Sequence, residues 1–153
     1  MPLVSRDTLF TAAPYLRELN ERHGEWLAPV AGGPDAALAA ELAAVAQAGR
    51  TSEDEVQVGQ AMRLAKARLA LLAAVAEVEG TWTPAQSTAA LSDLADATLE
   101  AGLDVLMRKA GERGLLAGEG RAANSGLTIF ALGKHGGREL NYSSDIDIVA
   151  FFD

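Results

Sequence analysis

The chain has 153 residues, 49% of them hydrophobic and 22% charged, which is the composition of a folded domain with a substantial core. Its net charge of -8 argues against tight nonspecific nucleic-acid binding, which requires many Lys and Arg contacts to phosphate. The absence of cysteine excludes disulfides and thiolate metal sites, and it fits the reducing cytoplasm in which we expect the protein to act.

The sequence contains no pattern that predicts association with a membrane. The N-terminus lacks a basic region followed by an apolar core, so no signal peptide is expected. The longest apolar run, Leu69–Ala76, is far too short to cross a bilayer. We therefore expect a protein that binds neither membrane nor nucleic acid.

Residues 1–120 are rich in alanine and leucine and predict successive helices. A first helix is expected over Asp7–Arg22 and a second over Pro34–Gly49, because proline is favoured at the first helical position. Ser52 and Glu55 have the spacing of a capping box, which predicts a third helix running to Gly80.

The next helix begins at a clearer signal, Thr83–Gln86, with Pro84 at its first position. Its pattern fades near Gly111–Gly114. Apolar residues recur along it at three- and four-residue spacing, which predicts one buried helix face: Leu91, Leu94, Ala95, Leu99, Leu103 and Leu106. Together these helices predict an antiparallel helical bundle with short loops over residues 1–120.

Residues 121–153 change character to β-branched and aromatic residues with glycines between them. Residues 111–125 form the candidate linker. Leu127–Gly133 and Asp145–Phe152 are predicted to be buried strands, and the segment between them is expected to hold a short helix or turn beginning near Gly137. The predicted fold class is therefore α+β, with a helical lead-in over 1–120 and a second domain beginning at 121.

The second strand carries two aspartates, Asp145 and Asp147, one residue apart. Side chains at i and i+2 of a strand point to the same face, so these carboxylates are expected to project together, while Ile146 and Ile148 point into the core. Neighbouring carboxylates in an apolar setting repel each other unless a cation lies between them. Carboxylate oxygens favour hard cations, so the pair predicts a Mg²⁺ site.

The glycine-rich segment before these aspartates predicts a phosphate-binding turn. Gly136 and Gly137 lack side chains, so their backbone amides can approach a phosphate closely. Lys134, Ser143 and Ser144 are further candidates for phosphate contact. The spacing does not match a Walker A loop, which requires Gly-x-x-x-x-Gly-Lys-Ser/Thr.

Other polar residues nearby are assigned structural roles. His135 has no evident partner in the sequence, so a catalytic role is not expected for it. Arg138 is expected to be a surface or structural residue, and Asn141 to satisfy backbone groups in the turn. Asp93 and Asp96 share one helix face, which we expect to be solvated, although this helix could flank the site.

The stretch GKHGGRELNYSSDIDI resembles the signature of the bifunctional glutamine synthetase adenylyltransferase/adenylyl-removing enzymes, Gly-Lys-Leu-Gly-Gly-x-Glu-Leu-Asn-x-Ser-Ser-Asp-Ile-Asp. The main difference is His135, where leucine is common. LSDLADATLEAGL, Leu91–Leu103, also resembles the helix that precedes this signature in the family. The resemblance covers residues 50–153 well and the first fifty loosely.

This resemblance implies a polymerase-β-like nucleotidyltransferase sheet, of which the chain would hold the first strands, truncated before the rest of the domain. It implies that Asp145 and Asp147 bind Mg²⁺ and are catalytic, and that Gly136 and Gly137 form the turn that contacts phosphate. The implied nucleotides are ATP and ADP, and the implied partners are glutamine synthetase and the PII signalling protein. The resemblance also implies a third carboxylate from a later strand. Asp153 cannot supply it, because it would lie about 20 Å along the strand from Asp147 at ~3.3 Å per residue.

The direction of the reaction follows only from which of two family domains the chain resembles. The N-terminal domain removes AMP from glutamine synthetase with inorganic phosphate and releases ADP, and the helical lead-in and RELNYSSDIDI are closer to that domain. The opposite activity, transfer of AMP from ATP to a tyrosine, stays open. So do a PII uridylyltransferase and a non-catalytic helical interaction module. We expect the 153-residue chain to lack full activity by itself.

Overall fold

A computed structural model describes residues 4–27, 33–116 and 125–152, which form a packed helix bundle followed by a two-stranded antiparallel sheet. This arrangement confirms the predicted α+β class. Within the described ranges the elements follow in the order α1 Arg6–Ala12, α2 Pro14–Leu27, α3 Gly33–Thr51, α4 Glu55–Val78, α5 Pro84–Glu112, β1 Thr128–Leu132, α6 Gly133–Gly136 and β2 Asp147–Phe151.

The single helix predicted over Asp7–Arg22 is wrong, because the chain breaks there into α1 and α2. Ala13 lies between them in an extended conformation, with φ -123° and ψ 90°. The cause is Pro14, whose ring disfavours helical geometry at the residue before it. Pro14 instead opens α2, where its missing N–H has no helical partner to lose.

The helix caps confirm one prediction from the sequence and contradict another. The capping box of Thr83 and Gln86 is confirmed, with Pro84 following the N-cap. The box predicted from Ser52 is wrong, because Asp54 is the N-cap of α4 and its carboxylate accepts the Val56 N–H at 2.8 Å. A carboxylate also suits the positive end of the helix dipole.

The core lies between α2, α3, α4 and α5. Every residue of Leu69–Ala76 in α4 is buried, which explains why this run is uniformly apolar. The backbones of α3 and α5 approach closely, since a Cβ added at Gly49 would lie 2.5 Å from the Ala101 Cα. Arg108 of α5 donates hydrogen bonds to the backbone carbonyls of Gly49 and Arg50, so it holds the end of α3.

The two strands pair with Leu132 opposite Asp147 and Thr128 opposite Phe151. Asp145 therefore precedes β2 rather than belonging to it. The prediction of buried strands is wrong, because all five residues of β2 are exposed and β1 alternates between exposed and half-buried residues. Among the described elements the sheet packs chiefly on itself and α6, so Ile146 and Ile148 are each 41% exposed rather than in a core.

No helix in the described part of the chain is both long and apolar enough to cross a membrane. The candidate linker, residues 111–125, and the predicted boundary at 120/121 involve residues 117–124, which lie outside the described ranges, as does Asp153. The division into two domains therefore stays a prediction.

Candidate functional site

The glycine-rich turn begins with a short helix, α6, immediately after β1. The predicted helix start near Gly137 is wrong, because Gly137 is the C-cap of α6 and its N–H donates to the Gly133 carbonyl at 3.0 Å. The N–H groups of Arg138 and Glu139 donate in the same way to the carbonyls of His135 and Lys134. These three amides are therefore satisfied within the turn and do not form the free helix terminus that the sequence suggested.

The glycines of this turn differ in how closely neighbouring atoms approach them. A Cβ at Gly136 would lie 2.5 Å from the Ala131 carbonyl oxygen, so glycine is required for the turn to pack on β1. Gly133 has φ +54°, and a Cβ there would lie 2.9 Å from Asp147 Oδ2. At Gly137 nothing lies closer than 3.5 Å. Packing against the described residues therefore sets no requirement for glycine at 137.

Helix α5 holds the turn through a buried histidine. His135 is 3% exposed and its Nε2 lies 2.8 Å from Asp96 Oδ1. His135 thus has a partner that the sequence did not reveal, and the helix face of Asp93 and Asp96 contacts the turn as well as solvent. His135 Nδ1 is buried and has no hydrogen-bond partner among the described residues.

Two further contacts fasten the turn to the same helix. Arg138, at φ 57°, donates to Asp93 Oδ1 at 2.5 Å, and this hydrogen bond together with the aspartate charge raises the pKa of Arg138. The Leu140 N–H donates to the buried hydroxyl of Ser92 at 3.4 Å, and the Leu140 side chain packs on α5. The structural role expected for Arg138 therefore agrees with the geometry.

The segment after the turn is ordered by its own side chains. Asn141 Oδ1 accepts the Ser143 N–H at 3.2 Å and the Ser144 hydroxyl at 2.9 Å, and Ser144 Oγ in turn accepts the Asn141 N–H at 3.1 Å. This confirms the interpretation of Asn141 as a turn residue. Lys134 and Ser143 are exposed. Phosphate contact by Lys134, Ser143 or Ser144 stays a prediction.

Asp145 and Asp147 are both exposed, on either side of the point where β2 begins. Asp147 lies against the turn at Gly133, while Asp145 faces the helix bundle and lines a cleft. Their oxygens suit Mg²⁺ by chemistry. Residues 4–27, 33–116 and 125–152 hold no group of three or more His, Cys, Asp or Glu placed to bind a metal. Metal binding stays a prediction.

The cleft beside Asp145 has a volume of about 540 Å³ and separates α4 and α5 from residues 140–146. Its walls are mainly apolar, and two cations of α4, Arg63 and Lys66, lie on its border. Neither cation was identified from the sequence. Their three-residue spacing places them on one helix face, but no residue pattern shows which face meets Asp145.

Tyr142 lines this cleft, and burial, followed by the charge of Glu77, raises its pKa to about 12. The unfolded value is about 10, so the fold favours the neutral phenol. This contribution to stability is fully present below pH ~10 and is lost as the pH rises through ~12. We expect denaturant unfolding between pH 9 and 12 to show a steeper loss of stability in the wild type than in Tyr142→Phe. Equal slopes would contradict this assignment.

The His135–Asp96 contact predicts unequal effects of two substitutions. Asp96→Ala leaves both imidazole nitrogens without a partner among the described residues and should cost roughly 1–3 kcal/mol, toward the lower end because water can enter where Asp96 is exposed. His135→Leu removes the polar group itself and should be milder. In the His135→Leu background, Asp96→Ala should cost almost nothing, as measured by urea unfolding of all four proteins. An undiminished cost there would show that Asp96 acts elsewhere.

This chain has relatives among known proteins. The family model described as glutamate-ammonia ligase adenylyltransferase matches residues 5–153. The chain is 40% identical over 147 residues to the bifunctional glutamine synthetase adenylyltransferase/adenylyl-removing enzyme of Caulobacter vibrioides, covering 94% of this chain and 15% of that one. It is 39% identical over 152 residues to the corresponding enzyme of Agrobacterium fabrum, again covering 94% of this chain and 15% of that one.

The chain therefore spans only about a seventh of the length of the curated relatives that it matches. No solved structure matches it. The match over almost the whole chain includes the first fifty residues, where the sequence signature had suggested only a loose resemblance.

Proposed function

This chain belongs to the glutamate-ammonia ligase adenylyltransferase family, and on that premise we propose that it supplies part of the nucleotidyl-transfer site that controls glutamine synthetase. Asp145 and Asp147 would bind Mg²⁺, and the turn at Gly136 and Gly137 would receive nucleotide phosphate. The observation that supports the proposal best is the closeness of Asp147 to the glycine-rich turn, since a Cβ added at Gly133 would lie 2.9 Å from Asp147 Oδ2.

The reaction we favour is adenylyl removal. An oxygen of inorganic phosphate attacks the phosphorus of AMP on the modified tyrosine, the bond from phosphorus to the tyrosine oxygen breaks, and ADP and the free tyrosine result. Bound Mg²⁺ would neutralise phosphate charge and stabilise the leaving oxygen. The chemistry otherwise depends on positioning and preorganised charge.

The contribution of this chain is to hold the reacting groups in fixed relation. Helix α5 fixes the turn through Asp96 and Asp93, which contact His135 and Arg138. Because α5 is itself packed against α3 and α4, the turn is supported by the whole bundle. A rigid support of this kind keeps the turn in a fixed position, so that it can orient a bound substrate.

The rival functions differ in the ligands they predict. The family match argues against the PII uridylyltransferase, and the PII protein remains a proposed partner only. If the site transfers AMP from ATP instead, it should prefer Mg·ATP and pyrophosphate over Mg·ADP and phosphate. A non-catalytic helical module should bind no nucleotide.

Calorimetric titration of the 153-residue chain with ADP and with ATP, each with and without Mg²⁺, tests the proposal. We expect Mg²⁺ to tighten ADP binding at least tenfold. With Mg²⁺ present, ADP should bind more tightly than ATP. Preference for ATP would indicate adenylyl transfer instead of adenylyl removal, at the same metal site. Identical affinities with and without Mg²⁺ would contradict a metal-dependent site.

A further inference from the structure

Two cations face the cleft from the helix bundle. Arg63 and Lys66 of α4 border the same cavity that Asp145 lines from the opposite wall. Residues three apart on a helix lie on one face, so Arg63 and Lys66 both project from the same side of α4. Both residues are exposed, so their charged groups remain accessible to a ligand.

Among the described residues these two cations have no partner, although the chain carries an excess of acidic residues. Nothing in the described ranges forms an ion pair or hydrogen bond with the side chain of Arg63 or Lys66. Close by on the same helix, Arg68 is paired with Glu41 at 2.8 Å. With 21 acidic and 13 basic residues in the chain, acidic partners are abundant, so two adjacent cations left unpaired beside a cavity form a local positive site.

The cavity has the size and lining of a small-molecule site. Its volume, about 540 Å³, lies within the ~300–1,000 Å³ typical of ligand pockets. The floor between the two helices is apolar and includes Leu94, Ala95 and Ala70. Such a floor can bury a flat, weakly polar ring, and the cations at the border can hold an anionic group attached to it.

We propose that Arg63 and Lys66 bind the phosphate of a phosphate-bearing ligand in this cleft and form its cationic wall opposite Asp145. The inference deepens the proposed function, and it rests on that function only in that Asp145 belongs to both sites. An arginine donates two parallel hydrogen bonds to phosphate, and a lysine adds a compact charge. These cations should bind phosphate without a metal, whereas Asp145 and Asp147 should contribute to ligand affinity only when Mg²⁺ is present.

The decisive comparison uses Arg63→Gln/Lys66→Gln against Arg17→Gln/Arg113→Gln. The control removes the same charge from two exposed cations that do not line the cleft. Binding of ADP, inorganic phosphate and adenosine to the 153-residue chain is measured by calorimetry in EDTA at low ionic strength. Circular dichroism checks that both variants keep the helical fold.

We expect the cleft variant to weaken ADP binding at least tenfold and the control less than twofold. If the ligand is a nucleotide, adenosine should bind weakly to the wild type and equally to the cleft variant. If the site takes inorganic phosphate, free phosphate should compete with ADP, and its own binding should fall with ADP binding. Arg63→Lys should restore part of the affinity, because it restores charge without the bidentate geometry.

Equal ADP affinity of the cleft and control variants would overturn the inference, as would the absence of saturable binding by the wild type. The two proposals fail separately. Loss of metal-free binding in the cleft variant without any Mg²⁺ effect would retain the cationic wall and reject the metal site. Unchanged metal-free ADP binding in the cleft variant, together with a Mg²⁺ effect in the wild type, would reject the cationic wall and retain the metal site.

Discussion

Replacing Asp145 and Asp147 together by asparagine should abolish the Mg²⁺-dependent part of ADP binding. Asparagine keeps the shape of the side chain but removes its charge, and a neutral amide oxygen is a much weaker ligand for Mg²⁺ than a carboxylate. We expect the ADP affinity of the variant with Mg²⁺ to fall at least tenfold, to the value measured in EDTA. Each tenfold change corresponds to about 1.4 kcal/mol.

The fold should survive this change. Both aspartates are exposed, and neither forms a hydrogen bond or ion pair within the described part of the chain. Asp104→Asn/Glu112→Gln is the matched control, because it removes two charges from α5 outside the cleft. If the control lost the Mg²⁺ effect to the same degree, net charge rather than metal ligation would explain the result.

The second large effect is expected at the crossing of α3 and α5. In Gly49→Ala the new Cβ would lie 2.5 Å from the Ala101 Cα and 2.8 Å from its carbonyl oxygen, so a backbone must move. Separation of the helices would also weaken the contacts of Arg108 with the end of α3. We expect a loss of about 1–3 kcal/mol in the free energy of unfolding, measured with urea, even though alanine is the better helix former.

Gly102→Ala, one residue beyond Ala101, is the matched control. Its Cβ would meet only the flexible end of Met62, at 3.6 Å. This change should therefore show the helix propensity alone, a gain of up to about 1 kcal/mol. A loss of stability in Gly49→Ala and a gain in Gly102→Ala would show that the close contact lies at Gly49. A stabilising Gly49→Ala would show that the two helices do not approach as described.

Recognition of the family from the sequence is confirmed, and the physical reason is the density of unusual residues in the closing stretch. A glycine cannot be exchanged freely where a turn must pack on a strand, as Gly136 packs on Ala131. The roles of Asp145, Asp147 and the phosphate-contacting residues were predicted from the same stretch, and they remain to be tested.

Local signals were sufficient where the physics is local. Proline at a first helical position and the Thr83–Gln86 box located the start of α5, because capping groups satisfy amides within three residues. The helix predicted across Pro14 was wrong, because the proline ring disfavours helical geometry at Ala13 and breaks the helix there. Burial of the strands was also mispredicted, because an apolar strand is buried only if another element packs on it.

By itself the sequence determined the family, the helix-forming segments and the succession of strand, glycine-rich turn and aspartate pair. Only the tertiary structure decided what faces that pair. Packing of the bundle brings Asp96 to His135, 39 residues away along the chain, and places Arg63 and Lys66 across a cleft from Asp145. Such contacts depend on how helices rotate and cross, which is set by close approaches such as that of Gly49 and Ala101 and not by the periodicity of any single helix.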